Sequence, residues 1–128
     1  MTWIFDSSAL LAVVFSERGN DVVLRHLAEA GGLVSAANWA EVATKMIEGG
    51  VSPAQTAREL AHFLLQVIAL DADGALRAAA LRPSTRALGL SMGDRCCLAV
   101  AQAVPGAKVL TADKAWKSLK AFDIHLIR

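Results

Sequence analysis

The sequence predicts a three-layer α/β sandwich, a central parallel sheet of about five strands flanked by helices. Three observations carry this. Short apolar runs recur along the chain at 3–5, 33–34, 67–70, 109–110 and 125–127. They alternate with longer stretches of helical period, many of them Ala- and Leu-rich, and strands alternating with helices of that length build a parallel sheet covered on both faces. The composition, 55% hydrophobic against 20% charged residues, is too apolar for a disordered chain and too varied for a fibrous one. At 128 residues and 13.5 kDa there is material for one core, so 1–128 is read as a single domain.

In chain order, the run Trp3-Ile4-Phe5 is the first strand, and the Ala- and Leu-rich segment 7–17 the first helix. A second helix is expected over 21–30, before the turn Gly31-Gly32 and the strand at Leu33-Val34. The helix over 36–48 carries an apolar stripe of Ala36, Trp39, Ala40, Ala43, Met46 and Ile47. The clearest local signal is Ser52-Pro53-Ala54-Gln55: an N-cap hydroxyl, a proline at the first helical position and a glutamine where a capping box places one. The strand 67–70 follows, then helices over 73–81 and 94–104, with Pro83 and Gly106 just past their expected ends. The strands at Val109-Leu110 and 125–127 complete the sheet. No repeat, low-complexity tract or linker interrupts this order.

No apolar stretch approaches the roughly 20 residues that cross a bilayer. The start MTWIFD lacks a basic run ahead of an apolar one, so no secretory signal is read and the expected compartment is the cytoplasm. The adjacent Cys96 and Cys97 match neither a zinc knuckle nor a redox pair and are read as buried thiols. His26, His62 and His125 are scattered. Net charge is only +1, so affinity for nucleic acid must be local. Residues 1–70 hold four basic and seven acidic side chains, whereas 71–128 hold nine and five, which puts the basic surface in the second half.

In an open parallel sheet, ligands bind beyond the carboxyl ends of the strands. Asp6 directly follows the first strand and Asp113 a later one, while Asp94 opens the helix after Ser91-Met92-Gly93. Taken singly, each could simply cap a helix. Gathered at one sheet edge, they would raise one another's pKa unless a cation neutralised them, and oxygen-only ligands favour Mg²⁺ or Mn²⁺. Glu41 lies away from the apolar stripe of its helix, so periodicity reads it as solvent-facing; the alternative is a groove between that helix and the strand edge.

Four blocks of the sequence, IFDSSALLAVVFSE, ANWAEV, LGLSMGDRCCLAVA and VLTADKAW, together resemble the PIN-domain ribonucleases of the VapC toxin type. They occur in the family's order and span nearly the whole chain. The resemblance implies a PIN-like sheet and a metal site made of Asp6, Glu41, Asp94 and Asp113, which would serve as both catalytic and metal-holding acids. It also implies a supporting hydroxyl at Thr111 beside the last acid, although a strand threonine bonded to backbone is an equal alternative. By the same resemblance the chain would be an endoribonuclease toxin cleaving tRNA or rRNA, paired with a VapB-like antitoxin and forming a homodimer. Trp116 stands where the family more often has Phe. Arg77, Arg82, Arg86, Arg95, Lys114 and Lys117 are candidates for contacting RNA, each also readable as a solvated charge. Two other readings stand beside this one: a phospho-accepting receiver domain, in which Asp71 would accept the phosphoryl group, and a PIN-fold binding module without catalysis.

Overall fold

The computed structural model describes residues 2–128. Five strands form one sheet: β1 (Trp3–Phe5), β2 (Gly32–Ser35), β3 (Leu65–Ile68), β4 (Lys108–Thr111) and β5 (Asp123–Leu126). Their spatial order is β3-β2-β1-β4-β5, every pair parallel, with Ile4 opposite both Leu33 and Val109 and Leu110 opposite His125. The central strand β1 is the most apolar, as burial on both faces demands; Ile4 and Phe5 are fully buried, pointing to opposite sides.

One face is covered by α1 (Ser7–Val14), α2 (Asn20–Ala30), α3 (Ala36–Glu48) and α4 (Pro53–Ala61). Their buried side chains, Ala9, Leu10, Val23, Val42, Met46 and Leu60, pack on Phe5, Val34 and Leu110. The other face receives α7 (Met92–Ala103), with Cys97 and Leu98 against Ile4, Val109 and Ile124. Between β3 and α7 run α5 (Ala72–Ala80) and the single turn α6 (Arg82–Thr85). Trp116, in the short 3₁₀ turn after β4, is the largest fully buried side chain, and its indole N–H finds no hydrogen-bond partner among the described residues.

The close approach of β2 to β1 requires Gly32. A Cβ there would lie 2.2 Å from the ring of Phe5 and 2.8 Å from the carbonyl oxygen of Trp3. Ser52 caps α4 as expected, accepting from the N–H of Gln55 at 3.1 Å, but the reciprocal half of the box is missing. The Gln55 side chain turns instead to Glu59 and Arg58, one helical turn on. Pro83 lies just past the end of α5, as expected, and occupies the first turn of α6, where its missing N–H costs nothing.

The topology bears on the receiver alternative. Receiver domains order their strands 2-1-3-4-5, with the third strand inside the sheet. Here β3 is an edge strand, and Asp71 caps α5 by accepting from the N–H of Gly74 at 2.7 Å.

Candidate active site

In the order β3-β2-β1-β4-β5 the crossovers lead one way from β1 and then return to its other side, so the crevice lies at the carboxyl end of β1 against β4. Asp6 sits at that point. It is 3% exposed and caps α1, its Oδ1 accepting from the N–H of Ala9 at 2.9 Å. Ser8 Oγ donates to the same carboxylate at 2.7 Å, and Thr111 Oγ1 donates to Oδ2 at 2.6 Å. Burial nevertheless dominates: it pushes the Asp6 pKa up from 3.8 to about 6, against the lowering by these three donors and with a further rise from Asp94.

Asp113 is joined to this centre through Thr111, whose hydroxyl accepts from the Asp113 N–H at 3.1 Å. Its Oδ1 caps the 3₁₀ turn by accepting from the Ala115 N–H at 3.0 Å. Asp94 is the third residue of α7 rather than its opening one. Ser91 is the N-cap, and Asp94 completes a capping box by accepting from the Ser91 N–H at 2.9 Å. Desolvation raises the Asp94 pKa, with Glu41 and Asp113 adding to the rise and the bonds to Ser91 opposing it. The capping expectation therefore describes Asp6, Asp94 and Asp113 alike.

Glu41 is exposed, as periodicity reads it, and its carboxylate is nevertheless tied to α1 and packed against Gly93 at the start of α7. The buried positions of α3 are Asn38, Val42 and Met46, so the inner face is turned by about one residue step toward Glu41 relative to the apolar stripe. The polar Asn38 hid that face from a hydrophobicity reading. Glu41 Oε1 accepts from Ser7 Oγ at 2.7 Å and from Asn38 Nδ2 at 3.0 Å. Its carboxylate also packs on Gly93, where a Cβ would stand 2.3 Å from Oε1.

Ser7, Ser8 and Asn38 are the polar residues that sequence reasoning missed. Ser8 donates to Asp6 while accepting from the N–H of Ala112 at 2.9 Å, which fastens α1 to the end of β4. The adjacent serines in IFDSSALL were the available signal, since a hydroxyl pair directly after a strand-end acid can serve two carboxylates. Each of Glu41, Asp94 and Asp113 is held through one carboxylate oxygen, and its other oxygen takes no hydrogen bond among the described residues.

The donor set suits a hard divalent cation: every candidate ligand is a carboxylate oxygen, and Asp94, raised chiefly by desolvation, is raised further by Glu41 and Asp113. Among the described residues, no three such side chains already stand close enough to share one ion. The histidines are elsewhere. His26 and His125 pack on Trp3 at the amino end of β1, at 4.0 and 5.0 Å between ring centroids. Cys96 and Cys97 are buried, and burial pushes both thiols up, most strongly Cys97, which leaves them protonated. Of the candidate basic residues, Arg95, Lys117 and Arg82 spend a donor on the carbonyls of Ala78, Ile124 and Leu90, whereas Lys114 is exposed beside Asp113.

A family model, PIN domain, matches residues 3–121. The chain belongs to the PIN domain family. No curated protein matches it. Its fold is similar to that of solved structures at low identity. A toxin-antitoxin complex from Klebsiella pneumoniae aligns at TM-score 0.77 and 21% identity, over 99% of this chain and 98% of the other. VapBC2 from Rickettsia felis, bound to a promoter DNA fragment, aligns at 0.74 and 16%, over 98% of each chain. DNA-bound VapBC from Salmonella typhimurium aligns at 0.74 and 14%, over 100% and 99%. The parallel sheet is thus that of a PIN domain, and no helix among the described residues is long and apolar enough to cross a membrane.

Proposed function

We propose that this PIN domain is the toxin of a toxin–antitoxin pair, an endoribonuclease that hydrolyses phosphodiester bonds in structured RNA with Mg²⁺ or Mn²⁺. The observation that carries the reading is the buried carboxylate of Asp6 at the crevice of the central strand, linked through Thr111 to Asp113 and near enough to Asp94 to feel its charge, as Asp94 in turn feels Glu41 and Asp113. The structural neighbours named as toxin-antitoxin and VapBC complexes support the biological role.

Hydrolysis needs a water oxygen delivered in line with the leaving oxygen while negative charge builds on the phosphate. Asp6, Glu41, Asp94 and Asp113 would hold one or two divalent ions. Such an ion supplies a lowered pKa for attacking water and positive charge against the phosphate. The protein's own contribution is placement. Ser8, Thr111 and the Ala9 N–H fix Asp6, Ser7 and Asn38 fix Glu41, and the capping box fixes Asp94. Without a cation, four carboxylates repel an RNA backbone, so metal dependence and substrate binding are one requirement. Aromatic residues make up 5% of the sequence and Trp116 is buried, which favours recognition of RNA shape and backbone over base stacking. The acidic pit suits an antitoxin of the VapB kind presenting a basic side chain. A cytoplasmic homodimer completes the proposal.

The test is digestion of total RNA with Mg²⁺ or Mn²⁺, with Asp94→Asn as control. Metal-dependent cleavage that the substitution abolishes is expected. Cleavage by Asp94→Asn with an unchanged metal requirement would refute the assignment, and no cleavage by the parent chain would leave the binding module as the reading.

A further inference from the structure

We infer that Asn38, with Ser7, is the positioning residue for Glu41, and that this one buried amide sets the distance between the acids of α3 and α7. The inference rests on reading Glu41 as a metal-holding acid. Asn38 is fully buried in the first turn of α3. Its Nδ2 faces three acceptors on three elements: Ser7 Oγ of α1 at 3.0 Å, Glu41 Oε1 of α3 at 3.0 Å and the Gly93 carbonyl of α7 at 3.1 Å. Its Oδ1 accepts from the Ser35 hydroxyl, and its own N–H is capped by the same Ser35 at 3.1 Å.

This pattern fixes the amide's orientation. Turned over, the side chain would set its oxygen against Glu41 Oε1 and the Gly93 carbonyl, two acceptors with no proton to share. Ser7 is not a substitute anchor by itself, because its single proton goes to Glu41 and its oxygen is held by Asn38. The three elements so joined are those that follow Asp6, carry Glu41 and carry Asp94. Gly93 closes the fourth side, since any Cβ there would collide with the Glu41 carboxylate. Glu41 is otherwise an exposed side chain on a helix surface, and its rotamers would spread into solvent without this cradle.

Partners that orient a metal ligand typically contribute 10–100-fold in metal affinity. The test is a double-mutant cycle of Asn38→Ala and Glu41→Gln, read by Mn²⁺ affinity from the resonance of free Mn²⁺ and by urea unfolding in EDTA. Asn38→Ala should weaken Mn²⁺ binding at least tenfold, and in the Glu41→Gln background it should change Mn²⁺ affinity less than twofold. Should Asn38→Ala fail to fold, Ser7→Ala removes the other donor from a half-buried site and carries the same cycle. Independent, additive losses of Mn²⁺ affinity in a chain that binds Mn²⁺ normally would overturn the positioning role alone. Absence of Mn²⁺ binding by the parent chain would overturn the metal reading and this role with it.

Discussion

Replacing Asp6 with Asn should stabilise the metal-free protein at neutral pH. The carboxylate is 3% exposed and its pKa is raised from 3.8 to about 6, so the folded state binds its proton more tightly than the unfolded chain does. A raised carboxylate pKa means that stability is highest below the unfolded value and declines as pH climbs from about 4 to about 6. Above pH 6 the whole penalty is present. At about 1.4 kcal/mol per pKa unit it amounts to roughly 3 kcal/mol, an upper figure for a site with three donors already in place. Asn keeps the shape and the N-cap acceptor without the charge. Urea unfolding followed by circular dichroism in EDTA should therefore show Asp6→Asn about 2 kcal/mol more stable than the parent at pH 7.5, with the gap closing near pH 4. Adding Mn²⁺ should stabilise the parent and leave the variant unchanged. A variant less stable than the parent at pH 7.5 without metal would refute the idea that burial strains this carboxylate.

Thr111→Val removes the 2.6 Å bond that lowers the Asp6 pKa, so carboxyl NMR should find Asp6 titrating above 6, and stability in EDTA at pH 7.5 should fall by about 1–2 kcal/mol. Gly32→Ala drives a methyl into Phe5 and the Trp3 carbonyl and should cost about 2 kcal/mol or more in thermal unfolding. Ser52→Ala removes an exposed N-cap whose hydroxyl serves the Gln55 N–H and none of the candidate acids; about 1 kcal/mol of stability should go while RNA cleavage stays at the parental rate.

The sheet was largely legible because its signals are local. The run Trp3-Ile4-Phe5 is β1 residue for residue, and the helix expected over 36–48 is α3. The strand expected at 67–70 lies two residues earlier, at Leu65–Ile68, because it is an edge strand that tolerates the exposed Gln66, while Ala69 and Leu70 lead into the Asp71 cap. The helix expected over 94–104 starts at Met92, since the capping serine lies further back than the acid. Strand-end position sufficed to place Asp6 and Asp113 beyond β1 and β4 as caps of the turns that follow. Glu41 was different: a hydrophobic wheel weighs only apolar side chains, and the face it lies beside is marked by the buried amide of Asn38. Hydrogen bonds between residues 31 to 105 positions apart, such as Ser7 to Asn38 and Thr111 to Asp6, leave no periodic trace.

The placement of β1 between β2 and β4 has a consequence for folding. Asp6 and Thr111 lie 105 positions apart in the sequence, and they meet only when β4 pairs beside β1. That pairing closes the longest loop of any strand pair in the sheet, with the largest entropic cost of closure. The burial that perturbs the Asp6 carboxylate therefore depends on the most sequence-distant pairing in the fold, and any change that loosens β4 from β1 should return this acid toward its ordinary titration.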